Sequence, residues 1–259
     1  MPNKRPFLTA NWRYLLMLNY EVDPRLLEPL IPAGVELDLW EGRAIVSVVG
    51  FLFQNTRVMG VPVPMHRNFE EVNLRFYVRQ HAADEVRRGV VFVKEIVPLR
   101  AVAGVARFLY GENYVALPMG HTIERDRATG ELCRDGLVEY RWRQQGKLNR
   151  LGGLALGDPL PLEQGTEAEF IAEHYWGYTR RGPNRTGVYR VEHEPWRVWH
   201  VAQPYLLCNV AGIYGKEFVT ALRSRPRSAF LAEGSAVAVY PGETIHINEK
   251  GAGDGSLSK

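Results

Sequence analysis

The chain has 259 residues, 46% hydrophobic and 24% charged, long enough to bury a sizeable core and too apolar for global disorder. Lys plus Arg (32) nearly balances Asp plus Glu (29), and a net charge of +3 excludes any general attraction to nucleic acid or to an anionic membrane surface. Cys133 and Cys208 are too far apart for a CxxC motif and too few for a disulfide framework, and no apolar run reaches the length of a signal segment or a membrane span, so a cytoplasmic location is expected.

The aromatic and aliphatic run Asn11 to Val22 reads as a first strand. Asp23 then caps a short helix with Pro24 at its first position and Leu26, Leu27 and Leu30 on one stripe, ended by Pro32. A strand from Val35 to Trp40, a turn at Glu41-Gly42 and a long strand from Ala44 to Phe53 predict a hairpin, followed by a loop through Pro62 and Pro64. After the stretch Arg67 to Arg79 comes a further strand, Gly89 to Val97. Leu99 to Tyr110 has helical spacing, with Gly111 as its stop. Thr129-Gly130 predicts a turn between strands His121 to Arg127 and Leu132 to Gln144. Thr166 with Glu169 forms a capping box opening a helix to about Tyr175. Gly187 to Glu192, Trp196 to Val201 and Ser235 to Tyr240 read as strands and Glu217 to Arg223 as helix. Few short helices among many strands predict one mainly β domain over residues 1–248 with peripheral helices, and a Gly- and Ser-rich flexible tail over 249–259.

Arg67 to Arg79 divides into two faces. On a strand, Glu70, Val72, Leu74, Phe76 and Val78 share one side and Phe69, Glu71, Asn73, Arg75 and Tyr77 the other, with Glu71 and Arg75 about 13 Å apart. That polar row either lines a pocket or faces water. Nucleotide and metal motifs are missing: there is no P-loop, GxGxxG or GxSxG, and the seven histidines form neither HxH nor HExxH, so no cofactor and no metal is expected. Charged residues inside apolar segments, Arg13, Glu71, Arg75, Lys94 with Glu95, and Arg107, are each turned outward or part of a network. Regular alternation puts Lys94 on one face with Phe92 and Ile96. If that face is core, desolvation lowers the pKa of the ammonium and makes it a Schiff-base nucleophile; the other reading is a lysine snorkelling to water or pairing with Glu71.

The segments WRYLLMLNYEVDPRLLEPLIPAGVELDLWEGRAIVSVVGF, FEEVNLRFYV and GVVFVKEIV, with the later FIAEHYWGYT, HEPWRVW and AVAVYPG, resemble the YqjF-like family of bacterial proteins of unknown function. More distantly the arrangement is similar to the acetoacetate decarboxylase superfamily. That resemblance implies a largely antiparallel β barrel or cone around a small-molecule cavity, usually in an oligomer. Carried over position by position, its active-site arginine matches Arg13, its glutamate Glu71 (Glu70 if the register slips by one) and its helix arginine Arg107. The lysine pair that forms the Schiff base in decarboxylases is replaced by Tyr114 and Val115 in ENYVALP, and a second acidic position falls near Ser47.

The expectation is a protein that binds a small, carboxylate-bearing metabolite through Arg13 and Arg75, with Glu71 and Asn73 completing the polar wall and Tyr77 and Arg107 nearby. Enzymatic alternatives are acid/base chemistry by Glu71 and Tyr114 or a relocated Schiff base on Lys94. An interaction module with a closed core would instead leave Glu71 and Arg75 exposed. No nucleic-acid or membrane partner is expected, and a homo-oligomer is.

Overall fold

The computed structural model describes residues 5–82, 85–100, 104 and 111–247. Arg107, most of the expected helix over 99–110, and the tail 249–259 lie outside the described residues. The first half of the chain gives β1 (Leu8–Val22), β2 (Glu36–Leu37), β3 (Ala44–Val58), β4 (Val61–Pro62), β5 (Phe69–His81), β6 (Val86–Val97), β7 (Tyr114–Ala116) and β8 (Met119–Ile123). The second half gives β9 (Gly136–Gln144), β10 (Lys147–Pro161), helix α1 (Glu167–Ala172), β11 (Trp176–Gly182), β12 (Arg185–His193) and β13 (Arg197–Leu207). Helices α2 (Val210–Ile213) and α3 (Val219–Arg223) precede β14 (Ser228–Ala232), β15 (Ala236–Val239) and β16 (Glu243–His246). No helix among the described residues is long and apolar enough to cross a membrane.

Strand β1 organises the molecule because three strands pair with it. Its first residues, Leu8 to Asn11, run against β15; Leu15 to Asn19 run against β14; its other edge carries β3. The split falls where Tyr14 adopts φ 55° and Gly234 adopts φ 82°, and a Cβ at Gly234 would sit 2.1 Å from the Trp12 carbonyl oxygen. Only glycine tolerates both that conformation and that approach. Pairing from β3 through β5, β6, β11, β12 and β15 back to β1 closes a ring, and β14, β13, β10, β9 and β8 continue from β1 as an outer flap.

Closure makes two cores, and period-two alternation distributes side chains between them. Met17, Val49, Phe51, Phe53, Phe69, Tyr77 and Val90 point into the ring. Leu16, Leu18, Val46, Val48, Val72, Leu74 and Phe76 point outward and are covered by Tyr140, Trp142 and Leu151 from the flap. The expected buried face of Arg67 to Arg79 is therefore the outer core, and its polar row faces the interior of the ring.

Some local expectations change. The helix after Asp23 forms two 3-10 turns, Pro24–Leu26 and Glu28–Leu30, because Pro29 has no N–H to continue an α-helix, although Asp23 does cap the start by accepting from Arg25 N at 3.0 Å. Residues Val35 to Trp40 do not form a hairpin with β3: the two-residue β2 pairs with β5, and Trp40 only bridges Arg43. Thr166 caps α1 as its sequence indicates, accepting from Glu169 N at 3.3 Å.

Candidate functional site

Inside the ring is a cavity of about 220 Å³ whose polar lining is Glu71, Arg75, Glu95, Glu112, Tyr114, His174 and Tyr189, with Thr56, His66 and His193 closer to the apolar wall. Each side chain is delivered by a strand or the residue beside one. Glu71 and Arg75 come from β5; Glu95 comes from β6, cross-strand from Asn73; Tyr114 opens β7 alongside Glu95; Glu112 lies two residues earlier. Tyr189 lies on β12 opposite Gly177 of β11, where a Cβ would stand 2.1 Å from the tyrosine ring. Glycine there lets the phenol cross the neighbouring strand and donate to Glu112 Oε1 at 3.1 Å.

The carboxyl groups are nearly solvent-free, at 3% exposure for Glu71, 1% for Glu95 and 5% for Glu112. Glu71 accepts from Asn73 Nδ2 at 3.0 Å on one oxygen and from the Tyr114 hydroxyl at 3.2 Å on the other. Burial pushes Glu71 up to about 7, against the pull of those two donors and of Arg75. Burial likewise lifts Glu112 to about 8, with the Glu71 charge adding to it and Tyr189 and Arg181 drawing it down. Glu95 is raised well above the carboxylate range by burial and by its two acidic neighbours, and one of its oxygens has no hydrogen-bond partner among the described residues. Tyr114 is held protonated by burial and by Glu71 and Glu95. Three carboxyls this close share protons at neutral pH, so the cluster contains both proton acceptors and proton donors.

Arg75 supplies the positive charge. Its Nη2 donates to the Ile171 carbonyl at 3.3 Å and approaches Met17 Sδ at 3.7 Å, while its buried Nε has no partner among the described residues. His174 lines the wall beside it, its ring tilted 45° against Tyr77 at 4.7 Å between ring centres. Burial pushes His174 down to about 4, so it is neutral at pH 7. Its Nε2 lies 3.4 Å from Asp38, a contact too poorly directed for a hydrogen bond but sufficient for the carboxylate to orient the ring. Among the described residues no group of three or more His, Cys, Asp or Glu is arranged to hold a metal ion.

Sequence-predicted residues divide sharply. Glu71, Arg75 and Tyr114 meet on the cavity, and the burial of Glu71 runs against a solvent-facing interaction surface. Asn73 is buried behind the wall, donating to Glu71, and Tyr77 bonds Ser47 Oγ at 2.5 Å inside the barrel. Arg13 is not in the cavity: it runs opposite Leu52 toward the outer side, 39% exposed, with Nη1 3.9 Å from Glu233, and its neighbour Trp12 takes the inward place. Lys94 does not share a face with Phe92. The β5–β6 register steps from Leu74↔Lys94 to Arg75↔Phe92, leaving Val93 as an extra residue that reverses the alternation. Phe92 and Glu95 consequently line the cavity, while Lys94 Nζ bonds Asn113 Oδ1 at 2.8 Å. Sequence reasoning selected neither Glu95 nor Glu112 as a site residue; the signal was a carboxylate in the apolar run GVVFVKEIV and another in ENYVALP.

Comparison with known proteins gives one family, DUF2071, described as an uncharacterized conserved protein, matching residues 9–236. The uncharacterized protein YqjF of Bacillus subtilis (strain 168) is 26% identical over 210 residues, 80% of this chain and 81% of that protein. Among solved structures, an acetoacetate decarboxylase-like enzyme from Sphingomonas wittichii RW1 superposes with a TM-score of 0.64 at 15% identity, covering 93% of this chain and 94% of the other. The enduracididine biosynthesis enzyme MppR complexed with pyruvate superposes with a TM-score of 0.65 at 12% identity, covering 94% and 91%. The barrel is thus an acetoacetate decarboxylase-like fold.

Proposed function

We propose that this chain, which belongs to the DUF2071 family of uncharacterized conserved proteins, binds a small carboxylate-bearing metabolite in the barrel cavity and moves a proton on it. The observation that carries this reading is the convergence of Glu71, Glu95, Glu112 and Tyr114 with Arg75 on one cavity. A guanidinium grips a carboxylate with parallel charge-assisted hydrogen bonds. Glu71, titrating near neutrality, is matched to act as a general base on a carbon beside a carbonyl group. The C–H bond breaks, its electron pair moves onto the carbonyl oxygen, and a protonated neighbour, Glu95 or Tyr114, donates a hydrogen bond to the charge that develops there. Return of a proton to carbon restores the ligand or its isomer. The solved MppR complex with pyruvate is consistent with a ligand of this size in the shared fold.

Near-balanced charge and two free cysteines support a cytoplasmic protein without a nucleic-acid partner, and exposed Leu156, Leu160 and Leu207 support self-association. The deciding experiment incubates the protein with pyruvate and other 2-oxo acids in D2O and follows ligand binding and deuterium uptake at C3 by proton NMR. Binding with accelerated exchange is expected; absence of binding to every acid would sink the proposal. Borohydride trapping read by intact mass should yield no adduct on Lys94, whose ammonium is engaged with Asn113.

A further inference from the structure

The cavity is polar along only part of its length, and the order of side chains on β5 gives that polarity a direction. Along its inward face the strand presents Phe69, Glu71, Asn73 and Arg75, successive inward positions about 6.6 Å apart. Arg75 stands at one end and Phe69 at the other, with Asn73 and then Glu71 between them, and the Arg75 side chain reaches back along the row to Met17, which lies level with Asn73. The neighbouring strands repeat the gradient. At the level of Phe69, β3 contributes Phe53 in direct register and β1 contributes Trp12 opposite Phe53. Phe53 stacks on Phe69 at 4.6 Å between ring centres, and Trp12 meets Phe53 edge-on at 5.9 Å. Further along, Leu8 is opposite both Val58 and Val239, and Val239 is opposite Val191, all on the cavity wall. Trp196, with His193 stacked on it at 4.1 Å, completes that side. The loop after β4 turns Val63 and His66 to the cavity and leaves Met65 exposed, with Met59 of the β3–β4 turn and Val61 of β4 exposed as well, so the apolar character continues to the surface.

Pyruvate alone would leave this aromatic and aliphatic half without a partner. From this arrangement we infer that the ligand is a 2-oxo acid with an apolar tail of about the size of a branched aliphatic or phenyl group, its carboxylate at Arg75, its C3 carbon at Glu71 and its tail between Phe53, Phe69, Trp12 and Val63. The inference rests on the carboxylate-binding reading above and adds the substrate class. The linear order of the ligand, acid group, then acidic carbon, then tail, repeats the order Arg75, Glu71, Phe69. Transfer of a phenyl-sized tail from water to an apolar wall favours binding by enough to exceed tenfold after ordering costs are subtracted.

The test compares pyruvate, a branched-chain 2-oxo acid and phenylpyruvate by NMR-detected binding to the full-length protein. Phenylpyruvate is expected to bind at least tenfold more tightly than pyruvate, with the branched-chain acid between them. Val63→Trp, on the loop after β4, should remove most of the advantage of phenylpyruvate over pyruvate, the loss being larger for phenylpyruvate than for pyruvate; Val58→Phe, filling the same end from β3, should act in the same direction. Equal affinities in the wild type, or equal loss of both acids in both variants, would overturn the tail assignment and leave the carboxylate site standing. Binding of none of the three would overturn the carboxylate site itself, and the tail with it.

Discussion

The barrel and its outer flap both bury glutamates, and they do so on opposite terms. Glu139 of β9, at 6% exposure, accepts from the Tyr205 hydroxyl at 2.6 Å and from Arg141 Nη1 at 3.3 Å, with Arg150 Nη1 a further 3.8 Å away. Its charge is neutralised where it stands, and Arg141 also ties it to β8 through Thr122 and the His121 carbonyl. Glu71, Glu95 and Glu112 are as deeply buried, yet among the described residues Glu71 accepts from an amide and a phenol and Glu112 from a phenol, and Arg75 acts on Glu71 by charge. A buried carboxylate with cations beside it holds strands together. Buried carboxyls whose hydrogen-bond partners are neutral are kept at a cost in stability, which fits the ligand-binding role proposed for them.

Substitutions can break this contrast, most strongly at Glu71. Glu71→Gln keeps the shape and the hydrogen bond from Tyr114 but removes the base, and deuterium uptake into a bound 2-oxo acid should fall at least about 100-fold with affinity little changed. Arg75→Met should weaken binding of carboxylates by about 10- to 100-fold in titration calorimetry, while the matching amides lose nothing. Glu112→Gln should stabilise the protein, and only at higher pH. The carboxyl titrates near 4.5 when unfolded and about 8 when folded, so between those values the unfolded chain releases a proton that the folded chain retains, and native stability declines as pH rises. Urea denaturation should show the variant more stable than wild type by about 1 kcal/mol or more at pH 8.5 and equal to it at pH 4.5. Glu139→Gln should do the reverse, losing about 1 kcal/mol at neutral pH because its arginine partners are partly exposed and screened, with ligand binding untouched. A stabilising Glu139→Gln or a destabilising Glu112→Gln at pH 8.5 would erase the distinction between the two regions.

The fold was legible in the sequence because period-two alternation in segments such as FEEVNLRFYV is a local property that the barrel preserves, and the inward row of β5 followed directly from it. Glu71 and Arg75 were legible for the same reason, whereas Tyr114 was found through the position-by-position resemblance of ENYVALP. Arg13 and Lys94 were not, since both lie where the register breaks, at the Tyr14 irregularity of β1 and the extra residue of β6. Parity counted along a chain holds only until a bulge, and a bulge is fixed by the strand across from it rather than by its own residues. Glu112 sits outside any regular strand and reaches the cavity through Tyr189, a partner 77 positions away that no local pattern connects to it.

The extra residue at Val93 also determines how this site can change over evolutionary time. With the register as it stands, position 95 is delivered into the cavity whatever side chain it carries, and position 94 is delivered away from it. Two adjacent codons therefore have unequal reach: mutations at Lys94 leave the cavity chemistry as it is, whereas a lysine at position 95, a single base away from glutamate in the genetic code, would set an amine among Glu71, Glu112 and Tyr114. The proposed proton-handling site and an imine-forming one are thus neighbouring solutions for this barrel, separated by one inward-facing residue.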